Sequence, residues 1–340
     1  MDAIHVVGAG GIGLAVGHTL ARNGVPVTFV ETDADKLADG ARHGVRVDRR
    51  PAAPAAFVAF ANWRPTADGV VLLCTKCPAN RAVLDRLPPS TRLVPIQNGF
   101  DPALEIAPAH VEGIASFVSE CVPGKAETRI TRRGELHLGV HPGSSPTVPP
   151  ERHALVDRLA ALLSGGPFAV RKVADVRPWK ATKLMYNAAI SPLAAAAGLD
   201  NGELLRWPRL RALFFALLRE NHAILRHAGV ALERVGPLPP ATVARILARP
   251  WLANALAWAF YPSLRGTYCS MAPDLRHPTP AGTEIDHYNG HLIRLAGDYP
   301  CPLNQAVYTL IRRMERDALP PAPERLDALW HLLADRAAAA

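Results

Sequence analysis

Gly8-Ala9-Gly10-Gly11-Ile12-Gly13 follows directly on the β-branched run Ile4-His5-Val6-Val7 at the start of the chain. Glycines at 8, 10 and 13 have the spacing of a dinucleotide fingerprint. The first makes a tight turn, the second lets backbone approach a pyrophosphate, and the third lets helix pack closely on strand. Residues 12–22 then carry Leu14, His18 and Ala21 at helical spacing and stop at Asn23-Gly24, the composition of a helix end. Strand, glycine turn and helix together predict that a Rossmann domain opens the chain, with the six residues 8–13 on the cofactor. Glu31 closes the next strand about twenty residues past the glycines, where a carboxylate accepts hydrogen bonds from adenosine ribose hydroxyls and repels a 2′-phosphate. That favours NAD(H) over NADP(H), while Lys36 and Arg42 stand where they would greet a phosphate instead.

Outward from this motif, short β-branched runs at 4–7, 25–30, 70–74 and 93–96 alternate with helical stretches, the pattern of parallel βαβ units. Further strands are expected at 113–118, 128–131 and 135–139, some of them antiparallel, then a Pro/Gly/Ser-rich loop at 141–150, a helix over 151–163 and a strand near 168–173. Beyond Asp175 apolar residues recur every three and four positions over 179–197, 210–228, 240–258, 283–297 and 304–317, with an irregular, proline-rich stretch at 261–282. The fold class expected is therefore an α/β Rossmann domain over 1–173 followed by an all-α domain over 174–340.

Composition fits this. A chain of 340 residues, 49% hydrophobic and 20% charged, has the make-up of a globular protein large enough for two cores. The net charge of +8 is spread along the chain without an aromatic-basic cluster, which suits anionic small molecules and argues against a nucleic-acid partner. The N-terminus lacks the basic, apolar and cleavage regions of a secretory signal, and no apolar stretch is long enough to span a bilayer, so a cytoplasmic protein is expected. Five cysteines without a framework of spacings suit a reducing compartment. Cys74 and Cys77 form a C-x-x-C without a second ligand pair for zinc or a helix start for redox chemistry, and read as small apolar residues at a strand end.

A series of fragments, in order, resembles the ketopantoate reductases (2-dehydropantoate 2-reductases). They are the N-terminal fingerprint, Cys74-Thr75-Lys76, Gln97-Asn98-Gly99, Lys183-Leu184-Met185-Tyr186-Asn187, Asn201-Gly202-Glu203-Leu204, Ser270-Met271 with Asp274, Thr283-Glu284-Ile285-Asp286 with Asn289-Gly290, and Pro302-Leu303-Asn304. The resemblance implies a helical domain like that of 6-phosphogluconate-dehydrogenase-type enzymes and reduction of a 2-oxo acid to a 2-hydroxy acid, ketopantoate to pantoate in the leading case, in a cleft between the domains. Hydride delivered to a ketone carbon leaves an alkoxide that needs an acid poised above it. The resemblance makes Lys183 that acid and Glu284 its carboxylate partner. It assigns Asn98, Asn187 and Ser270 to the substrate, and Lys76 together with Asn98 to the cofactor side.

Taken singly, Lys183 reads equally as a surface lysine, Glu284 as a helix-start glutamate and Asn98-Gly99 as a turn pair. The sequence also departs from the family's pattern. Ala181 stands where a tryptophan is common, and Lys180, three residues before Lys183, is a rival proton donor. Residues 275–283 are longer than usual, Cys269 replaces a serine, and Glu120 adds a carboxylate. These departures leave open an NAD-dependent 2-hydroxyacid or opine-type dehydrogenase of a specialised pathway. From a different class, a non-catalytic dinucleotide-binding redox sensor also stays open. No metal site is expected, and a homodimer is compatible with the apolar helices.

Overall fold

In the computed structural model, which describes residues 4–105, 108–143, 148–277 and 282–338, the apolar runs of the first half pair in parallel. β1 (Ile4–Val7) leads through α1 (Gly11–Arg22) to β2 (Val27–Glu31), then α2 (Ala34–His43), the short β3 (Arg46–Val47), β4 (Ala56–Ala59), β5 (Val70–Leu73), α3 (Asn80–Leu84) and β6 (Arg92–Pro95). Five of these strands form a parallel sheet in the order β4-β2-β1-β5-β6. Val6 of β1 sits between Phe29 of β2 and Leu72 of β5, and all three are fully buried. The chain's direction across the sheet reverses between β1 and β5, and ligands of open α/β sheets bind at the carboxyl ends of the strands at such a point. The glycine turn leaves β1 there, and Thr75-Lys76 leaves β5 beside it.

Four elements of this region, α2, β3, β4 and α3, have no counterpart in the expected strands and helices. β4 is only Ala-Phe-Val-Ala, and α2 is polar on most faces; its start is set by Asp33, whose side chain accepts from Lys36 N.

After α4 (Pro102–Glu105) come β7 (Pro108–Ala115), β8 (Val118–Cys121), β9 (Glu127–Arg132), β10 (Glu135–Gly143), α5 (Pro150–Leu162) and β11 (Ala169–Asp175). β10 joins β7 antiparallel and β11 parallel; β9 joins β8 antiparallel and β3 parallel. The single strand expected over 113–118 is two strands, because Ser116 leaves the ladder to exchange hydrogen bonds with Glu135 and Phe117 turns to stack on Phe168 at 4.7 Å. Residues 144–147 of the loop expected at 141–150 lie outside the described residues.

The rest is helical: α6 (Arg177–Ala197), α7 (Asn201–Arg206), α8 (Pro208–His227), α9 (Pro240–Leu247), α10 (Pro250–Leu264), α11 (Ala272–Arg276), α12 (Asn289–Ala296), α13 (Pro302–Arg316) and α14 (Asp327–Ala338). By its internal contacts the chain divides into two compact units, Met1–Arg177 and Pro178–Ala340. The helix expected over 240–258 is two helices, since Pro250 cannot donate a backbone hydrogen bond and instead occupies the first turn of α10. The helix expected over 283–297 begins as a 3-10 turn, Ile285–His287, and breaks at Tyr288, whose φ of −109° and ψ of −91° are not helical. Helices α10 and α11 also occupy much of the stretch expected to be irregular, of which residues 278–281 lie outside the described residues. No described helix is long and apolar enough to cross a membrane.

Candidate active site

Each glycine of the fingerprint has its own steric reason. Gly8 has a φ of +95°, and a Cβ there would stand 2.8 Å from the backbone nitrogen of Thr75. A Cβ on Gly13 would overlap the carbonyl oxygen of Gly8, so α1 rests on the β1 turn through bare backbone. Gly10 differs: among the described residues, no atom beyond its chain neighbours comes within 4 Å of where its Cβ would stand. It is the N-cap of α1, with no side-chain cap and no acidic residue in the first turn. The helix start thus offers unsatisfied N–H groups and the positive end of its dipole across an open glycine, a cradle that fits a pyrophosphate. Ser119 of β8 closes the loop on its other side, its Oγ lying 2.6 Å from a Cβ built on Gly11.

Glu31 reaches into this loop. Its Oε2 accepts from Ala9 N at 3.0 Å and lies 3.4 Å from Lys36 Nζ, while Oε1 accepts from Thr32 N at 2.6 Å. The carboxylate is therefore fixed at the end of β2, and Lys36 is paired with it.

The ends of β5 and β6 are bound together by a buried amide pair. Gln97 Nε2 donates to Thr75 O at 2.6 Å and to Asn80 Oδ1 at 2.7 Å; Asn80 Nδ2 donates back to Gln97 Oε1 at 3.0 Å and to Asp101 Oδ2 at 2.8 Å. These bonds hold the backbone on either side of Lys76 and Asn98, both half-buried. Asn98 Oδ1 is buried without a hydrogen-bond partner among the described residues, an acceptor that a bound cofactor or substrate would satisfy. The C-x-x-C lies here too. Burial pushes the pKa of the Cys74 thiol up to about 12, Cys77 is buried, and none of the five cysteines is in a disulfide, in keeping with small apolar residues at a strand end.

In the helical unit, α6 carries Lys183 and, one turn on, Asn187, both half-buried. Lys180 lies deeper, at 3% exposure. It is close enough to His291 for its charge to help burial press that imidazole down to about 3. Pro192 sits inside α6 and lacks the N–H that would close on the carbonyl of Ala188. Asn289 Nδ2 takes that place, donating to Ala188 O at 2.9 Å and also to Asn304 Oδ1 at 2.9 Å. Asn304 Nδ2 in turn donates to Asn221 Oδ1 and Glu220 Oε1, and Asn221 Nδ2 donates to Met185 O. Three helices, α8, α12 and α13, are thus tied by polar side chains to the part of α6 between Lys183 and Pro192.

The segments that carry Glu284 and Ser270 are each tethered to the same helix by a nearby residue. Cys269, next to Ser270, hydrogen-bonds Ser191 O at 3.2 Å, and Glu284 precedes the anchored Asn289 by five residues. Glu284, 3% exposed, accepts on Oε2 from Ser270 Oγ at 3.0 Å and from Tyr288 Oη at 3.2 Å. The structure therefore joins Glu284 and Ser270 directly, and ties nearby residues of their segments, Cys269 and Asn289, to the helix that bears Lys183 and Asn187. Tyr288, Asn80, Asp101 and Asn221 were not singled out in the sequence. Only Tyr288 carried a signal, a polar aromatic four residues after a candidate carboxylate.

A profile described as ketopantoate reductase PanE/ApbA matches residues 4–143, and its C-terminal counterpart matches residues 175–315. A 2-dehydropantoate 2-reductase of Pyrobaculum aerophilum is 26% identical over 250 residues, covering 73% of this chain and 77% of that protein. Among solved structures, a PanE/ApbA family ketopantoate reductase from Ralstonia eutropha JMP134 superposes with a TM-score of 0.71 at 23% identity, over 93% of this chain and 99% of the other. A D-mandelate dehydrogenase with NADH and anilino(oxo)acetate does so with a TM-score of 0.72 at 18% identity and the same coverage. At these identities the structural matches speak for a shared fold: a parallel-sheet dinucleotide-binding half followed by helices.

Proposed function

The chain belongs to the ketopantoate reductase family, and on that premise we propose that it reduces a 2-oxo acid to the 2-hydroxy acid, with ketopantoate to pantoate the leading case. A reduced nicotinamide, when bound, supplies the hydride. The glycine turn at 8–13 and the start of α1 hold its pyrophosphate, Glu31 its adenosine ribose, and Lys76 and Asn98 the nicotinamide side.

The chain itself must supply charge stabilisation and a proton at the carbonyl oxygen. Lys183 does both: its ammonium attracts the developing alkoxide and then protonates it. Lys180 is placed second as donor, being more buried than Lys183 and close to His291. Glu284 keeps the ammonium oriented, and Asn187, Asn98 and Ser270 hold the oxo acid. The observation that carries this reading is the pairing of a buried carboxylate, Glu284, with Ser270, in segments tethered through Cys269 and Asn289 to the helix that bears Lys183 and Asn187.

The cofactor preference proposed is NADH. Glu31 is held at the end of β2 by the Ala9 N–H, and Lys36 is already paired to it, so a 2′-phosphate would meet a carboxylate and a cation already engaged. This also favours a second reading, an NAD-dependent dehydrogenase for another bulky 2-oxo acid. Steady-state oxidation of NADH and NADPH against ketopantoate and a panel of branched and aromatic 2-oxo acids tests both. Ketopantoate turnover above that of the panel supports the first; preference for another oxo acid supports the second; no turnover of any contradicts both.

A further inference from the structure

Tyr288 is fully buried and ends the 3-10 turn that begins after Glu284. Its hydroxyl lies 3.2 Å from Glu284 Oε2 and 3.4 Å from Ser270 Oγ, and Ser270 Oγ lies 3.0 Å from the same Oε2. One carboxylate oxygen thus faces two hydroxyls, each with a single hydrogen to give. Ser270 cannot donate to Glu284 and to a bound oxo acid at once. Tyr288 Oη donates to Glu284 Oε2 from a fully buried position, so this contact depends on neither solvent nor substrate.

We propose that Tyr288 is a positioning residue that holds Glu284 Oε2 while Ser270 turns its hydroxyl hydrogen to the substrate. The inference rests on the reading above, in which Ser270 binds the 2-oxo acid. Without Tyr288, Ser270 is the hydroxyl of this cluster that remains on Glu284 Oε2, and its charge-assisted bond to the carboxylate competes with the bond to substrate. Tyr288 therefore acts on substrate binding through Ser270, without touching the substrate itself.

Two measurements on the full chain test this. In the infrared, the carboxylate band identified by its loss in Glu284→Gln is expected to shift in Tyr288→Phe, whatever the substrate; an unshifted band overturns the role. In kinetics with the 2-oxo acid that the wild type turns over best, Tyr288→Phe raises KM for the oxo acid about fivefold, the worth of one neutral hydrogen bond, with KM for the cofactor unchanged. Ser270→Ala does the same, and the double variant has a KM no higher than Ser270→Ala alone. A merely structural tyrosine would give additive effects, or a loss of kcat at constant KM, and either overturns the proposal. Phenylalanine fills the same space, so the fold is retained, which a thermal melt checks. A shifted band in a protein that turns over no 2-oxo acid contradicts the functional reading, and with it the substrate half of the proposal, while the Tyr288–Glu284 bond stands.

Discussion

Pro192 and Asn289 meet at one carbonyl. The proline lacks the N–H that would close on Ala188 O, and Asn289 Nδ2 donates to that oxygen at 2.9 Å. Asn289→Ala should therefore leave a buried carbonyl unsatisfied and destabilise the protein by about 2 kcal/mol. Adding Pro192→Ala restores a helical N–H at position 192 and should recover about 1 kcal/mol of it. Urea denaturation of the two variants checks this; a double variant less stable than the single contradicts it.

Gly10 and Gly13 should separate binding from folding. Gly10→Ala puts a methyl into open space, so the melting temperature should stay near that of the wild type while NADH affinity falls about tenfold or more, by obstruction of the pyrophosphate. Gly13→Ala forces α1 off the Gly8 carbonyl and should lower both. Thermal melts and NADH fluorescence titrations distinguish the two; a Gly10→Ala protein with unchanged affinity would remove the loop from the cofactor site.

Glu31→Ala removes the group that accepts from Ala9 N and frees Lys36. The ratio of kcat/KM for NADPH to that for NADH should rise about tenfold or more, through lost ribose bonds on one side and a released cation on the other. The check is a paired assay of the two cofactors at fixed ionic strength; an unchanged ratio removes Glu31 from cofactor selection.

His291 should make stability depend on pH. Burial, helped by the charges of Arg294, Lys180 and His287, lowers its pKa from 6.5 to about 3 in the folded state. Between those values the unfolded chain binds a proton that the folded one does not, so stability is present above pH 6.5 and is lost as the pH falls through the window. The slope from this residue approaches about 1.4 kcal/mol per pH unit. Urea midpoints at pH 7.5 and 5 should differ more for the wild type than for His291→Gln; equal differences would show that this imidazole is not what titrates.

What could be read from the sequence was what local spacing encodes. Ile4–Val7, the glycine turn and the start of α1 lie within a single βαβ unit, and the long helices announce themselves by period. Elements failed where a single backbone fact decided them, as with Pro250 splitting a helix whose apolar pattern runs on, or where an element was too short to show a period, as with β4. At the site, Lys183 and Asn187 could be paired because one helix face carries both. Tyr288 could not be linked to Ser270, since that contact spans 18 positions and depends on a helix start that unwinds. The Gln97–Asn80 pair likewise joins the segment after β6 to the start of α3, which only the sheet order brings together.

The most direct test of the account compares Lys183→Ala with the wild type on the best 2-oxo acid, with NADH affinity measured on the same samples. The expected result is kcat lower by about a hundredfold or more, the scale of a lost positioned acid, with NADH affinity unchanged because no residue proposed to hold the dinucleotide is altered. A Lys183→Ala protein that still reduces the oxo acid within a few-fold of the wild type would contradict it.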